Sequence, residues 1–196
     1  SNFSFLQGAS HPEEMVLQAQ ELGYRGMALC DLNGLYGIVR GFQAIEYPSH
    51  FVAHSDSLNR DFTFHCGAEM QLQDRTSLAL LPMNKEGYTQ LCRLITESKR
   101  GSPKGYSNLT LQTLAKHSDD LLAFALPPWK TEYLERLWQI FNDRLYLPVW
   151  KDYTWESLDL YHQALDLEKH YGFELFATQR PFMHHPSRKP LHDVVT

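Results

Sequence analysis

The chain has 196 residues, 43% of them hydrophobic, and carries 18 Lys and Arg against 23 Asp and Glu for a formal net charge of -5. That length and apolar share suit one domain with a real core, while the negative balance gives no electrostatic footprint for duplex DNA. No apolar run is long enough to span a bilayer and no basic, apolar leader opens the chain, so the expectation is a cytoplasmic protein with no membrane partner.

The first element in chain order is the helix of "SHPEEMVLQAQELG", with Ser10 as the expected N-cap, Pro12 in the first turn, Glu13 three after the cap and Gly23 at the close. "GMALC" reads as a short buried strand and "GLYGIVRGFQAIE" as the next helix, whose Gly34, Gly37 and Gly41 call for close packing against a sheet. "YPSHFVAHSDSLNRD" reads as a polar surface loop, and its His50, His54 and Asp56 as surface residues. Two strands follow, "FTFHCGAEMQLQ" and "TSLALLPM", and then a helix capped by Asn84. Past the turn-rich "GSPKGYSN", the pattern predicts a helix from Leu109 to Lys116, a strand "LLAFAL" and a helix from Thr131 to Asn142. The chain closes with the strand "RLYLPVW", the long helix "WESLDLYHQALDLEKHYG", the strand "FELFAT" and a terminal helix "PSRKPLHDVV" opened by Pro186. No linker interrupts this alternation, which predicts a barrel or wound sheet of mostly parallel strands.

In such folds the chemistry sits where strands end. Asp31, Glu69, Lys151 with Asp152, and Gln179 with Arg180 occupy those exits. Two carboxylates at separate strand ends can share a hard metal ion; equally, Asp31 can cap a helix beginning at Leu32 or Asn33, and Glu69 can be a solvated strand residue. Cys30, Cys66 and Cys92 lack CxxC spacing and read as strand or core residues. His184 and His185 read as loop and cap residues, His11 as part of a helix start, and His65 as a packed strand imidazole. Trp129, Trp138, Trp150 and Trp155 belong by default in a core, although Trp129, Trp150, Tyr153 and Trp155 near strand exits can form a docking patch. GxSxG, P-loop and Rossmann patterns are missing, which disfavours the enzyme classes built on them.

The opening, from "SNFSFLQGASHPEEMVLQAQELGYRGMALCDLNGLYGIVRGF" on, with "CGAEMQL", "NKEGYTQLCRLIT" and "ATQRPFMHHPSRKPLHDVVT", resembles the PHP (polymerase and histidinol phosphatase) domain of bacterial C-family DNA polymerases, the DNA polymerase III alpha subunit type, closest to the error-prone branch. The resemblance implies a distorted seven-stranded βα (TIM-like) barrel with metal ions at the strand ends. It implies that Asp31 falls on the second-strand metal aspartate and Glu69 on the third-strand glutamate. The family's His-x-His pair, on its first strand, would lie immediately before Ser1. Three former ligand positions are substituted: Leu32 stands for histidine, Arg180 for a carboxylate and Phe182 for a histidine, and none of the three side chains can offer a metal a lone pair. Arg180 is expected to pair with Asp31 or Glu69 in the metal's stead.

The reading is therefore a single PHP domain over 1–196, an amino-terminal structural and docking module of an error-prone polymerase acting in damage-associated DNA synthesis. Asp31 and Glu69 are then vestigial ligands, no cofactor is expected, and the partners are the rest of the polymerase chain and other replication or translesion-synthesis proteins. Two alternatives stand beside it: a metal-dependent phosphoesterase or 3′-5′ exonuclease holding Zn²⁺ or Mn²⁺ at a partial site, and a stand-alone protein-interaction module.

Overall fold

The computed structural model describes residues 1–4, 7–52, 61–103 and 106–195; His54 and Asp56 lie outside the described residues. Its elements are α1 (Pro12–Glu21), β1 (Gly26–Leu32), α2 (Ile38–Glu46), β2 (Thr63–Gln71), β3 (Ser77–Pro82), α3 (Lys85–Lys99), α4 (Leu111–Lys116), β4 (Leu121–Ala125), α5 (Thr131–Phe141), β5 (Leu145–Val149), α6 (Trp155–Tyr171), β6 (Glu174–Ala177) and α7 (Lys189–Val195). This is the mixed α/β architecture that the alternating pattern predicts. The chain divides into two compact units, Ser1–Ala68 with Pro181–Thr196, and Glu69–Arg180. No helix among the described residues is long and apolar enough to cross a membrane.

In the first unit, α1 starts one residue later than its sequence signature implies. His11, not Ser10, is the extended residue ahead of Pro12, and its backbone N–H donates to Glu14 Oε2 at 2.8 Å. Glu14 thus takes the capping role expected of Glu13. Ser10 is unavailable as a cap because its hydroxyl lies 2.8 Å from His184 Nδ1 and accepts the His184 backbone N–H at 2.9 Å. Val16 and Leu17 of α1 bury with Ala44 of α2 and Phe62 in one apolar cluster. Each large side chain so removed from water is worth about 2 kcal/mol. Gly41 permits that packing: a Cβ there would sit 2.6 Å from Cζ of Phe64, so the α2 backbone approaches β2 where any other residue would collide. The helix begins at Ile38 rather than Gly34, with Gly37 as its N-cap. β1 runs beside the first part of β2, held at its start by Thr63 N–H donating to the Arg25 carbonyl at 3.0 Å. The terminal helical segment is a 3₁₀ turn, Pro186–Arg188, capped by His185 and followed by α7.

In the second unit the strands lie in the order β2-β3-β4-β5-β6. β3 and β4 are antiparallel, with Leu78 opposite Ala125 and Pro82 opposite Leu121, an exception in the middle of the sheet to the parallel pairing expected of the pattern. The cause is the connection. Two helices, α3 and α4, separate these strands, and they return the chain to the end where β3 stopped: Met83 N–H, just past β3, donates to the carbonyl of Asp120, just before β4, at 2.9 Å. A single helix joins β4 to β5 and β5 to β6, and both pairs are parallel. Leu78, Leu80, Leu91, Leu94, Leu121 and Leu134 are fully buried, at period two on β3 and three on α3. The caps are local and legible: Asn84 Oδ1 accepts from Gly87 N–H at 2.8 Å, and Thr110 and Thr154 open α4 and α6 the same way. The α4 segment loses Leu109 to a buried bridge with Leu72. Gly172, at φ 75°, ends α6 in the left-handed conformation that glycine adopts without strain.

Candidate functional site

Asp31 lies near the end of β1, where it and Leu29 are the buried residues, and is 1% exposed. Its Oδ1 accepts from the Ser1 hydroxyl at 2.7 Å and the Ser4 hydroxyl at 2.9 Å, and the Ser1 amino nitrogen lies 3.0 Å away. Its Oδ2 accepts Gly37 N–H at 2.9 Å. A Cβ on Gly37 would stand 2.7 Å from that oxygen, so glycine at the head of α2 is what lets the backbone reach the carboxylate. The Ser4 hydroxyl also accepts Leu32 N–H at 3.0 Å, which uses the Leu32 backbone while its side chain offers no donor atom. Asp31 is therefore not the N-cap of a helix starting at Leu32 or Asn33; it ties Ser1 and Ser4, the end of β1 and the head of α2 together. Three donors thus crowd Oδ1, while Oδ2 accepts one.

Glu69, in β2, belongs to the second unit. The Arg180 Nη2 lies 3.1 Å from both of its oxygens, in a pair whose side chains are 14% and 32% exposed for Glu69 and Arg180. The Arg180 guanidinium carbon also stands 5.9 Å from the centre of the Trp150 ring, within cation–π range. Arg180 holds this position at φ 43°, a left-handed backbone that a non-glycine residue adopts at a cost of about 1 kcal/mol. At the neighbouring exit, Asp152 accepts from the Thr154 hydroxyl at 2.6 Å and the Thr154 N–H at 3.1 Å. The Ser157 and Thr154 hydroxyls hold its carboxyl down at about 2. Asp152 is thus a turn residue that launches α6. Gln179 is exposed, and the Lys151 ammonium sits 5.4 Å over the Tyr153 ring.

Phe182 lies in the first unit with its carbonyl accepting Ala9 N–H at 2.9 Å and its ring 5.8 Å from that of His192. His185 takes the cap of the terminal 3₁₀ turn. His65 is exposed on β2, not packed as its strand position implies. Cys30, Cys66 and Cys92 form no disulfide. The tryptophan patch divides: Trp129 is buried and donates its indole N–H to the Ala125 carbonyl at 2.7 Å, Trp150 faces Arg180, and Tyr153 and Trp155 are left to solvent.

Glu14 is a hub that sequence reasoning passed over, because its partners lie up to 174 residues away and carry no local signature. Its carboxylate pairs with Arg188, takes the His11 N–H and lies 3.6 Å from His184 Nδ1. Burial works to raise the Glu14 pKa, but the His11 N–H, Arg188 and His184 together hold it below the ordinary value. Burial chiefly lowers that of His184, with Arg188 and His185 adding and Glu14 opposing. Both groups bind protons more readily unfolded, so both add stability that is complete above their unfolded values and is lost as pH falls. We expect the thermal midpoint to drop below pH 6.5 through His184 and again below pH 4.5 through Glu14. His184→Gln should remove the first slope and Glu14→Gln the second. Melts at stepped pH check this, and parallel pH profiles for wild type and both variants would refute it.

Taken one by one, the ligand positions within this chain fit a metal ion poorly: three donors already crowd Asp31 Oδ1, both Glu69 oxygens face a guanidinium, and the Leu32 and Phe182 side chains have nothing to donate. Among the described residues no group of three or more His, Cys, Asp or Glu side chains is gathered as a metal site requires.

The family model of the PHP domain matches residues 1–175. The chain is 57% identical over 196 residues to an error-prone DNA polymerase of Bdellovibrio bacteriovorus and 33% identical over 208 residues to one of Methylococcus capsulatus, with all of this chain matched in each. It spans 18% of the length of both. Among solved structures it is similar to the lesion-specific endonuclease of Pyrococcus furiosus, with TM-score 0.55, 15% identity, and 96% of this chain and 48% of that chain covered. An amidohydrolase from Chromobacterium violaceum gives TM-score 0.52, 14% identity, and 92% and 84% covered. At these identities the two structures share the fold alone. On the family match and the polymerase relatives together, the chain belongs to the PHP domain family.

Proposed function

We propose that this chain is the amino-terminal PHP module of an error-prone C-family DNA polymerase, and that it serves as a structural and docking domain without metal-dependent hydrolysis. The observation that carries the reading is the Arg180 guanidinium set on both oxygens of Glu69: a fixed cation stands where the family pattern asks for a carboxylate ligand. The three donors gathered on Asp31 Oδ1 support it. In this reading Asp31 and Glu69 are former ligands kept for folding, polymerisation resides in the rest of a longer chain, and that remainder is the first partner. Other replication or translesion-synthesis proteins would meet the same assembly in the cytoplasm.

The test is elemental analysis of the purified protein, followed by calorimetric titration with Mn²⁺ and Zn²⁺. We expect no stoichiometric uptake of either ion. Uptake of one equivalent, abolished by Asp31→Ala, would overturn the structural role and favour a phosphoesterase or 3′-5′ exonuclease.

A further inference from the structure

The outer face of the second unit carries a cleft of about 250 Å³ lined by Glu135, Trp138 and Gln139 of α5, Tyr171 at the end of α6, and Phe173. The α5 residues fall at i, i+3 and i+4, so they share one helix face. Phe173 is buried at the cleft; the Trp138 ring meets it edge-on at 5.7 Å and 83°, and the Tyr171 ring centre lies 6.1 Å from its own. Trp138 and Tyr171 are 39% and 51% exposed, unusually open for two large rings lining one cleft. The Glu135 carboxylate stands at the same cleft, exposed, and among the described residues it makes no ion pair and no hydrogen bond.

We propose that this cleft binds a cationic side chain, an arginine or lysine presented by a basic segment of a partner protein. Aromatic faces attract a cation through their quadrupoles, and an unpaired carboxylate at the rim supplies the counter-charge. The protein's net charge of -5 favours a basic partner over an acidic one. An apolar ligand would use the rings but leave Glu135 idle, and an anion would meet it as a like charge. The inference does not rest on the role proposed for Asp31 or Arg180.

The test uses the protein labelled with fluorotryptophan, the Trp138 resonance being assigned as the one lost in Trp138→Phe. A Gly-Gly-Arg-Gly-Gly peptide is titrated in, with a citrulline peptide of the same shape and no charge as the comparison. The arginine peptide should shift the Trp138 signal saturably with a dissociation constant on the order of 1 mM, the scale of a single-side-chain contact. The citrulline peptide should bind about tenfold more weakly. Glu135→Gln, an exposed and isosteric change that leaves folding intact, should weaken the arginine peptide by a similar factor. Equal binding of the two peptides would overturn the proposal, as would full affinity in Glu135→Gln or no saturable shift at Trp138. The peptide comparison uses unmodified protein, so a misfolded variant cannot mimic either outcome.

Discussion

Asp31→Ala should destabilise the protein by about 3 kcal/mol, as a lower urea midpoint with an unchanged slope. The estimate follows from what the substitution strands. Gly37 N–H loses its acceptor in a buried position, and the Ser1 and Ser4 hydroxyls lose the oxygen on which both converge. A buried donor left without an acceptor costs its full desolvation, about 1–3 kcal/mol each, and rotation of a hydroxyl recovers only part of that. Asp31→Asn distinguishes hydrogen bonding from charge. Its amide oxygen can face Gly37 N–H while its NH₂ group turns toward the two hydroxyls, which can accept, so about 1–2 kcal/mol is expected. An Asp31→Ala protein as stable as wild type would show that the carboxylate anchors nothing, and the folding role assigned to it here would fall.

Much of this fold was legible because its signals are local. Asn84 caps α3 in a way that the next three residues reveal, Gly172 closes α6, and the buried spacing of α3 is written in its leucines. The position of Asp31 at a strand end was legible for the same reason. What the sequence could not show is set by distance along the chain. Ser10 looks like a cap, but a histidine 174 residues later claims its hydroxyl. Trp129 and Trp155 are alike in sequence context, yet one lies under a helix with its carbonyl held by Gln163 at 3.0 Å and the other stands in solvent. The antiparallel β3–β4 pair depended on which end of β3 the two helices of the connection return to, a matter of tertiary path that their local signals do not encode. The identity of the Arg180 partner was likewise open between two carboxylates, because charge alone does not choose between them; the pairing with Glu69 is a matter of backbone placement, including the left-handed φ at Arg180.

That pairing yields the second large effect. Arg180→Ala should cost about 1–2 kcal/mol, since Glu69, at 14% exposure, loses its partner where water reaches it only in part. Glu69→Gln should cost less, about 0.5–1 kcal/mol, because Arg180, at 32% exposure, can rehydrate and retains the Trp150 ring. The double variant is the decisive member of the set. With both charges gone no uncompensated carboxylate remains, so its loss should fall short of the sum of the two single losses by about 1 kcal/mol. Arg180→Lys adds a control: it keeps the positive charge but loses the guanidinium plane beside the Trp150 ring, and should sit between wild type and Arg180→Ala. Strict additivity in this cycle, measured by urea unfolding at constant ionic strength, would mean that the two side chains are neighbours without energetic coupling. Arg180 would then not be holding the charge of Glu69 in place of an ion, and the case for a purely structural PHP module would have to stand on Asp31 alone.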